Sequence, residues 1–203
     1  MSDLVMFDFD GVIADSLQAM HRATVRALRE NGLDDLATGD VVLRIVETNW
    51  FEGLRRLGVP PEVVRYMDDL IAEGVSAGEV EPFDGIPDVV AALAKRDCVV
   101  IVTSNRSDIV QEFLSQWDIG GVTEVLGGDK GESKVPKLRA AVDRHPHDEA
   151  WFIGDSVGDI VEGREAGVST VAATWGWHAE ERLLAASPDR VARAPRDLLR
   201  LLL

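Results

Sequence analysis

The chain has 203 residues, 46% of them hydrophobic and 28% charged, with a formal net charge of −15. That length can bury a real core and fits one domain carrying an insertion better than two full domains. The acidic excess argues against a nucleic-acid partner, whose phosphates need basic patches, and against an anionic membrane surface. It leaves room for a small phosphorylated ligand, because a local cation reverses the field inside a pocket. Cys98 is the only cysteine. It rules out an internal disulfide and reads as a small buried strand residue. No basic segment leading into a long apolar one opens the sequence, and no apolar run is long enough to span a bilayer. The expected location is the cytoplasm, and the expected state a monomer or homodimer.

An apolar strand runs from Leu4 to about Asp8 and leads into Phe9-Asp10-Gly11. Side chains alternate along a strand, so Asp8 and Asp10 share one face if the strand reaches Asp10. Adjacent carboxylates resist ionising together. The pair therefore calls for a divalent cation or a cationic side chain. Ser16 is placed as the N-cap of a first helix with Leu17, Met20, Thr24, Ala27 and Leu28 at helical spacing. Asn31-Gly32 closes it. A second helical stretch starts at Asp40, and Trp50, Phe51, Leu54 and Leu57 continue its apolar face until Gly58-Val59-Pro60-Pro61. A third helix runs from about Glu62 to Ala77. Residues 16 to 78 thus read as helical throughout.

Beyond Gly85 the pattern changes. A short helix covers Pro87 to Lys95, and Cys98 to Val102 is a β-branched run expected to be buried on both faces. Helices at 107–117, 134–144 and 157–166 then alternate with strands at 124–126, 150–153 and 169–173. Two more helices are expected, from Ala179 to Ala185 and from Pro195 to Leu203. Such alternation predicts an α/β fold with a Rossmann-like parallel sheet, built from residues 1–15 and 79–203, with 16–78 as an inserted all-helical domain.

In open parallel sheets, ligands bind beyond the carboxyl ends of the strands. That rule gathers separate polar clusters at one edge: Asp8 and Asp10, Thr103-Ser104-Asn105, Lys134, and Gly154-Asp155-Ser156 with Asp159. Each alone is a common cap, turn or surface feature. Together they describe a site.

These residues resemble the motifs of the haloacid dehalogenase superfamily: Phe7-Asp8-Phe9-Asp10-Gly11-Val12, the Thr103 strand end, Lys134, and Gly154-Asp155-Ser156-Val157-Gly158-Asp159. Gly127-Gly128-Asp129, the stretch Glu162 to Val168, and Thr174-Trp175-Gly176-Trp177 are similar to its phosphoglycolate phosphatase-like branch. The resemblance implies that residues 16–78 form a cap over the active site. It further implies a Mg²⁺-dependent phosphatase acting on a small phosphorylated metabolite. Asp8 would be the nucleophile that forms an aspartyl-phosphate, Asp10 the general acid and base, and Lys134 the cation that offsets charge. Asp8, Asp10 (through its backbone carbonyl), Asp155 and Asp159 would surround the Mg²⁺. Thr103, Ser104, Asn105 and Lys134 would face the phosphate.

Some assignments stay open. Ser104 competes with Thr103 as the hydroxyl donor, and Lys130 and Lys137 compete with Lys134. Pro136, soon after that lysine, could alter the local backbone. Trp50, Trp175 and Trp177 read mainly as packing, and Arg44, Arg55, Arg106 and His21 as secondary candidates for substrate contact. His145 and His147 show no metal-site spacing. A sugar-phosphate mutase would use the same motifs, and a non-catalytic phosphate-binding protein could share the fold. A phosphonatase would want a cap lysine, and residues 16–78 contain none.

Overall fold

A computed structural model describes residues 2–202; Leu203, the expected end of the last helix, lies outside it. The first strand, β1 (Leu4–Phe7), stops one residue before Asp8. The chain then turns through Gly11 and makes a two-residue strand, β2 (Ala14–Asp15). Four helices follow: α1 (Leu17–Glu30), α2 (Val41–Ile45), α3 (Trp50–Arg56) and α4 (Pro61–Ser76). A second two-residue strand, β3 (Glu81–Pro82), pairs antiparallel with β2. The chain thus enters and leaves the helical block through one short ribbon, which has no signal in the sequence because each arm is only two residues long.

The rest alternates as expected. It comprises α5 (Ile86–Leu93), β4 (Cys98–Val102), α6 (Ser107–Gln116), β5 (Val122–Leu126), α7 (Lys134–Arg144), β6 (Ala150–Gly154), α8 (Val157–Ala166) and β7 (Ser169–Ala173). The chain closes with α9 (Glu180–Ala185), an unexpected edge strand β8 (Arg190–Ala192), and α10 (Asp197–Leu202). The main sheet is parallel, in the order β5-β4-β1-β6-β7-β8. The fold is α/β with a six-stranded parallel sheet.

β1 lies at the centre, with Phe7 in register with Ile101 on one side and Ile153 on the other. Its alternation feeds two cores. Val5 and Phe7 pack with Val90, Phe113 and Ile153 on one face of the sheet. Leu4 and Met6 pack with Val102, Leu138 and Phe152 on the opposite face. All four β1 side chains are fully buried, as the continuous apolar run requires. Cys98, at the start of β4, is half-buried rather than fully enclosed.

The helical block has its own apolar cluster, which includes Met20, Leu28, Ile45, Leu54 and Met67. The single long second helix expected from the sequence is two helices. Asn49 breaks it: its backbone is extended and its Oδ1 accepts from the Phe51 N–H, capping α3. The two pieces fold tightly on each other, since a Cβ on Gly53 would lie 2.0 Å from the Ile45 carbonyl oxygen. An apolar face that continues across a cap residue carries no record of the bend. No helix among the described residues is long and apolar enough to cross a membrane.

Candidate active site

The central strand delivers Asp8 to the carboxyl edge of the sheet, where the chain order switches sides and a crevice is expected. Asp8 is 6% exposed. Its Oδ1 accepts from the Phe9 N–H at 2.7 Å, and its Oδ2 from Lys134 Nζ at 2.7 Å. Strand alternation does not bring Asp10 to it, because β1 has already ended. A tight turn does: Gly11 has a φ of 78°, and a Cβ there would lie 2.1 Å from an Asp155 carboxylate oxygen. Only glycine combines that backbone with that approach. Asp8 and Asp10 line one cavity together with Thr103, Ser104, Lys134 and Asp155.

Asp10 is held apart from the Asp8–Lys134 pair. Its Oδ1 accepts from Ser16 Oγ at 2.7 Å and its Oδ2 from Asn105 Nδ2 at 3.0 Å. Ser16 therefore does not cap α1 with its side chain; it spends its hydroxyl on Asp10. The Asn105 Oδ1 is also engaged, accepting from the Arg106 N–H at 2.8 Å. Thr103 Oγ1 accepts from the Asn105 N–H at 3.0 Å, which leaves the hydroxyl proton available to another partner. The side chain of Thr103 is buried, and Ser104 is half-buried on the cavity wall.

The three lysines have different surroundings. Lys134 opens α7 after Ser133, whose Oγ caps it by accepting from the Val135 N–H. Pro136 sits in the first turn, where its missing N–H costs nothing, and the helix runs regularly through it. Lys134 Nζ donates to Asp8 and also to Asp159 Oδ1 at 2.5 Å. Lys137 Nζ instead donates to the Thr103 and Gly127 carbonyls at 2.6 and 3.2 Å, bracing the loop that carries Thr103. Lys130 pairs with Asp129 at the surface, 3.1 Å away.

Asp155 and Asp159 come from the β6–α8 junction. Asp159 closes a capping box with Ser156, and the same side chain reaches Lys134, so its structural and site contacts coexist. Asp155 Oδ2 accepts from the Trp177 N–H at 2.7 Å, while its Oδ1 accepts no hydrogen bond among the described residues. Oxygens of Asp8, Asp155 and Asp159 lie within 4.8 Å of one another, and all three residues are buried.

The electrostatics follow from crowding. Burial pushes the Asp8 carboxyl up to about 7; Lys134 pulls it back and Asp159 adds to the rise. Burial, then the charges of Asp159 and Asp8, raise Asp155 well above the carboxylate range. Burial also raises Asp10, against the hydrogen bonds from Ser16 and Asn105. Burial alone would lower Lys134, but the charges of Asp159 and Asp8 hold it above its ordinary value. Lys137 falls to about 8 through burial and the charge of Lys134. Three buried carboxylates thus share one ammonium. An all-oxygen set with surplus negative charge fits a hard divalent cation such as Mg²⁺. The free Asp155 oxygen is the clearest vacant ligand, whereas Asp159 is already engaged by Lys134 and Ser156.

The helical block closes the cavity with Met20, Val46, Thr48, Trp50, Asp68 and Ile71. It rests on the core through Asn49 Nδ2, which donates to the Glu132 carbonyl at 3.1 Å, and through the Arg55–Glu132 ion pair at 2.6 Å. Among the tryptophans, Trp50 and Trp177 line the cavity, whereas Trp175 Nε1 donates to the Val12 carbonyl. Arg44, Arg106 and His21 lie outside the lining. Arg44 donates to Thr38 Oγ1 at 3.4 Å, Arg106 is bound to Asp108, and His21 faces the Thr38 carbonyl. His145 contacts Glu124, away from the site. Sequence reasoning missed the contacts of Ser16, Asp68 and Glu162. Glu162 Oε1 accepts from the Lys134 N–H at 2.8 Å; its position one turn after Asp159 on α8 was the available signal.

Comparison with known proteins agrees with this geometry. The family described as haloacid dehalogenase-like hydrolase matches residues 5–173. The chain is 26% identical to a phosphoglycolate phosphatase of Synechococcus elongatus, covering 96% of this chain and 94% of that one. It is also 26% identical to a phosphoglycolate phosphatase of Aquifex aeolicus, covering 98% and 96%. A haloacid dehalogenase-like hydrolase from Streptococcus pneumoniae superposes with a TM-score of 0.78 at 21% identity, covering 100% of this chain and 99% of that one. The family match spans most of the chain, including the segments that carry Asp8, Asp10, Lys134 and Asp159, and the chain belongs to the haloacid dehalogenase-like hydrolases.

Proposed function

We propose that the protein is a cytoplasmic, Mg²⁺-dependent phosphatase that hydrolyses a small phosphomonoester through an aspartyl-phosphate on Asp8, with residues 16–78 as its cap. The observation that carries this reading is the division of labour between two aspartates. Asp8 is buried against Lys134, while Asp10 is oriented separately by Ser16 and Asn105.

The Asp8 carboxylate attacks phosphorus, a P–O bond forms, and the bond to the alcohol oxygen breaks. Asp10, whose proton is held more tightly than in an ordinary aspartate, gives that proton to the leaving oxygen. Water then attacks the phosphoryl group, Asp10 takes a proton from it, and the P–O bond to Asp8 breaks. Inorganic phosphate and the Asp8 carboxylate result. Lys134 offsets charge on Asp8, and the Thr103 hydroxyl donates to a phosphoryl oxygen, with Ser104 beside it, where the transition state gathers negative charge. Asn105 acts by positioning Asp10 through one of its two Nδ2 hydrogens.

Asp8, Asp155 and the Asp10 carbonyl would hold the Mg²⁺, with Asp159 as a further acidic contact. When bound, the ion would neutralise the surplus carboxylate charge and that of the phosphoryl group. The cap would exclude water during attack by Asp8 and reopen for release. The names of the relatives make phosphoglycolate the reference substrate.

The test is Asp8→Asn. Hydrolysis of para-nitrophenyl phosphate with Mg²⁺ should fall by about 10³-fold or more, with the thermal melt of the folded protein retained. Persistent turnover would sink the assignment. Release of inorganic phosphate without a bisphosphate activator separates hydrolysis from phosphoryl transfer within a sugar phosphate.

A further inference from the structure

The half of the cavity contributed by the cap is chemically unlike a carboxylate pocket. Its walls are Met20, Val46, Trp50 and Ile71, with Thr48, Asn49 and one charged residue, Asp68; the Asn49 amide is engaged by the Glu132 carbonyl and the Phe51 N–H. Among the described residues, no arginine lines the cavity, and the only lysine there is Lys134, already held by Asp8 and Asp159. The arginines that could have served are engaged elsewhere. Arg55 pairs with Glu132, and Arg106 with Asp108 and, at 3.7 Å, Asp69.

Asp68 sits on α4, one residue past the cap-core residue Met67 and three before Ile71, so Asp68 and Ile71 share a helix face. It makes no hydrogen bond or ion pair among the described residues. Burial, partly opposed by Arg106 and reinforced by Asp69, raises its carboxyl to about 6, so near neutral pH it is mostly an ionised acceptor. Two more polar atoms on the same walls lack partners: Thr48 Oγ1 and Trp177 Nε1 are buried and unbonded. The adjoining cleft adds Glu47, Glu52 and Glu165, with Glu132 paired to Arg55. A substrate carboxylate would meet repulsion from Asp68 and, among the described residues, no arginine and no unpaired lysine on the cavity wall. An alkyl group would leave three polar groups unsatisfied, which is costly. An ammonium could only donate, leaving Trp177 Nε1, a donor, unanswered. A hydroxyl can donate to Asp68 and accept from Trp177 or Thr48.

We propose that the cap selects phosphomonoesters of hydroxylated, carboxylate-free alcohols, of polyol type, with Asp68 as the specificity-determining residue. This rests on the phosphatase reading above and narrows its substrate; it places phosphoglycolate among the disfavoured ligands.

The test uses the full chain with Mg²⁺ and para-nitrophenyl phosphate as the reporter substrate. Competition constants are measured for glycerol 1-phosphate (hydroxyls), ethanolamine phosphate (ammonium), propyl phosphate (alkyl) and phosphoglycolate (carboxylate). They are obtained whether or not each competitor is turned over. Glycerol 1-phosphate should bind at least about fivefold more tightly than each of the other three, as expected for a hydrogen bond to a charged acceptor. Asp68→Ala and Asp68→Asn, checked for folding by their thermal melts, should shrink the glycerol-to-glycolate ratio at least about threefold. Asp69→Asn, which removes the same charge outside the cavity, should leave the ratio unchanged. Tighter or equal binding of phosphoglycolate, ethanolamine phosphate or propyl phosphate overturns the inference. So does an unchanged ratio in whichever Asp68 variant folds. If the wild-type chain does not hydrolyse the reporter at all, the phosphatase reading falls and takes this inference with it. A working reporter with the wrong ranking sinks the specificity alone.

Discussion

Lys134 Nζ stands between Asp8 Oδ2 and Asp159 Oδ1, 2.7 Å from one and 2.5 Å from the other, and its side chain is only 8% exposed. Because two carboxylates face one ammonium, losing a carboxylate leaves Lys134 paired, whereas losing the ammonium leaves carboxylate charge that water cannot reach.

Lys134→Ala should therefore lower stability by about 3–5 kcal/mol at about pH 8. Its activity should fall by about 10²-fold or more through lost charge stabilisation. The stability loss should shrink toward about pH 5. Asp8, already raised to about 7 with the lysine present, rises further without it and takes up a proton instead of standing charged. Urea unfolding of wild type and variant at the two pH values measures this. An equal loss at both would mean that the lysine acts through packing.

The crowding of Asp8 and Asp155 predicts a coupling between protons and metal. Both carboxyls are raised in the folded chain, Asp8 to about 7. A raised folded-state pKa contributes stability that is full below the unfolded value of about 4 and is lost as pH rises through the folded value. The metal-free protein should thus lose stability from Asp8 between about pH 4 and 7, and Asp155, raised in the same direction, should add to the loss as pH rises. Mg²⁺, which competes with the protons, should raise the melting temperature more at about pH 8 than at about pH 5. Asp155→Asn should abolish most of that increment and make the metal-free protein more stable at about pH 8. Scanning calorimetry with Mg²⁺ and with chelator reads both. An increment independent of pH would refute the coupling.

The clamp on Asp10 predicts a shift in a pH profile. Asn105 Nδ2 donates to the ionised Asp10 carboxylate and so lowers its pKa against the larger rise from burial. In Asn105→Ala the pKa should rise. Because the first step needs Asp10 protonated, the alkaline limb of kcat/KM should move to higher pH. Lost orientation should cost about tenfold in kcat. A direct phosphate contact by Asn105 would instead raise KM and leave the limb in place.

Much of this was legible in the residues. The β-branched run at 98–102 and the alternation after Gly85 specify a parallel sheet, because a strand buried on both faces needs a continuous apolar sequence. The bounds of α7 and α8 were readable because Ser133 and Ser156 cap them by local hydrogen bonds. The motif spacing pointed to Asp8, Lys134, Asp155 and Asp159 at one sheet edge, since strand ends on one side of a parallel sheet must converge.

Other features arise only when distant segments meet. Ser16 looks like a helix cap in the sequence, yet its hydroxyl goes to Asp10. Asn105 looks like a loop residue facing phosphate, yet it closes on the same carboxylate 95 positions away. The bend at Asn49 and the ribbon between β2 and β3 depend on tertiary packing more than on local propensity. Asp68 is one more acid in an acidic chain until α4 lays it on the cavity wall. Local hydrogen bonding and apolar periodicity act over a few residues and are written in the sequence. Burial, and the charge a buried group must share, belong to the assembled pocket, so the chemistry of Asp8 and Asp68 was decided by the tertiary structure.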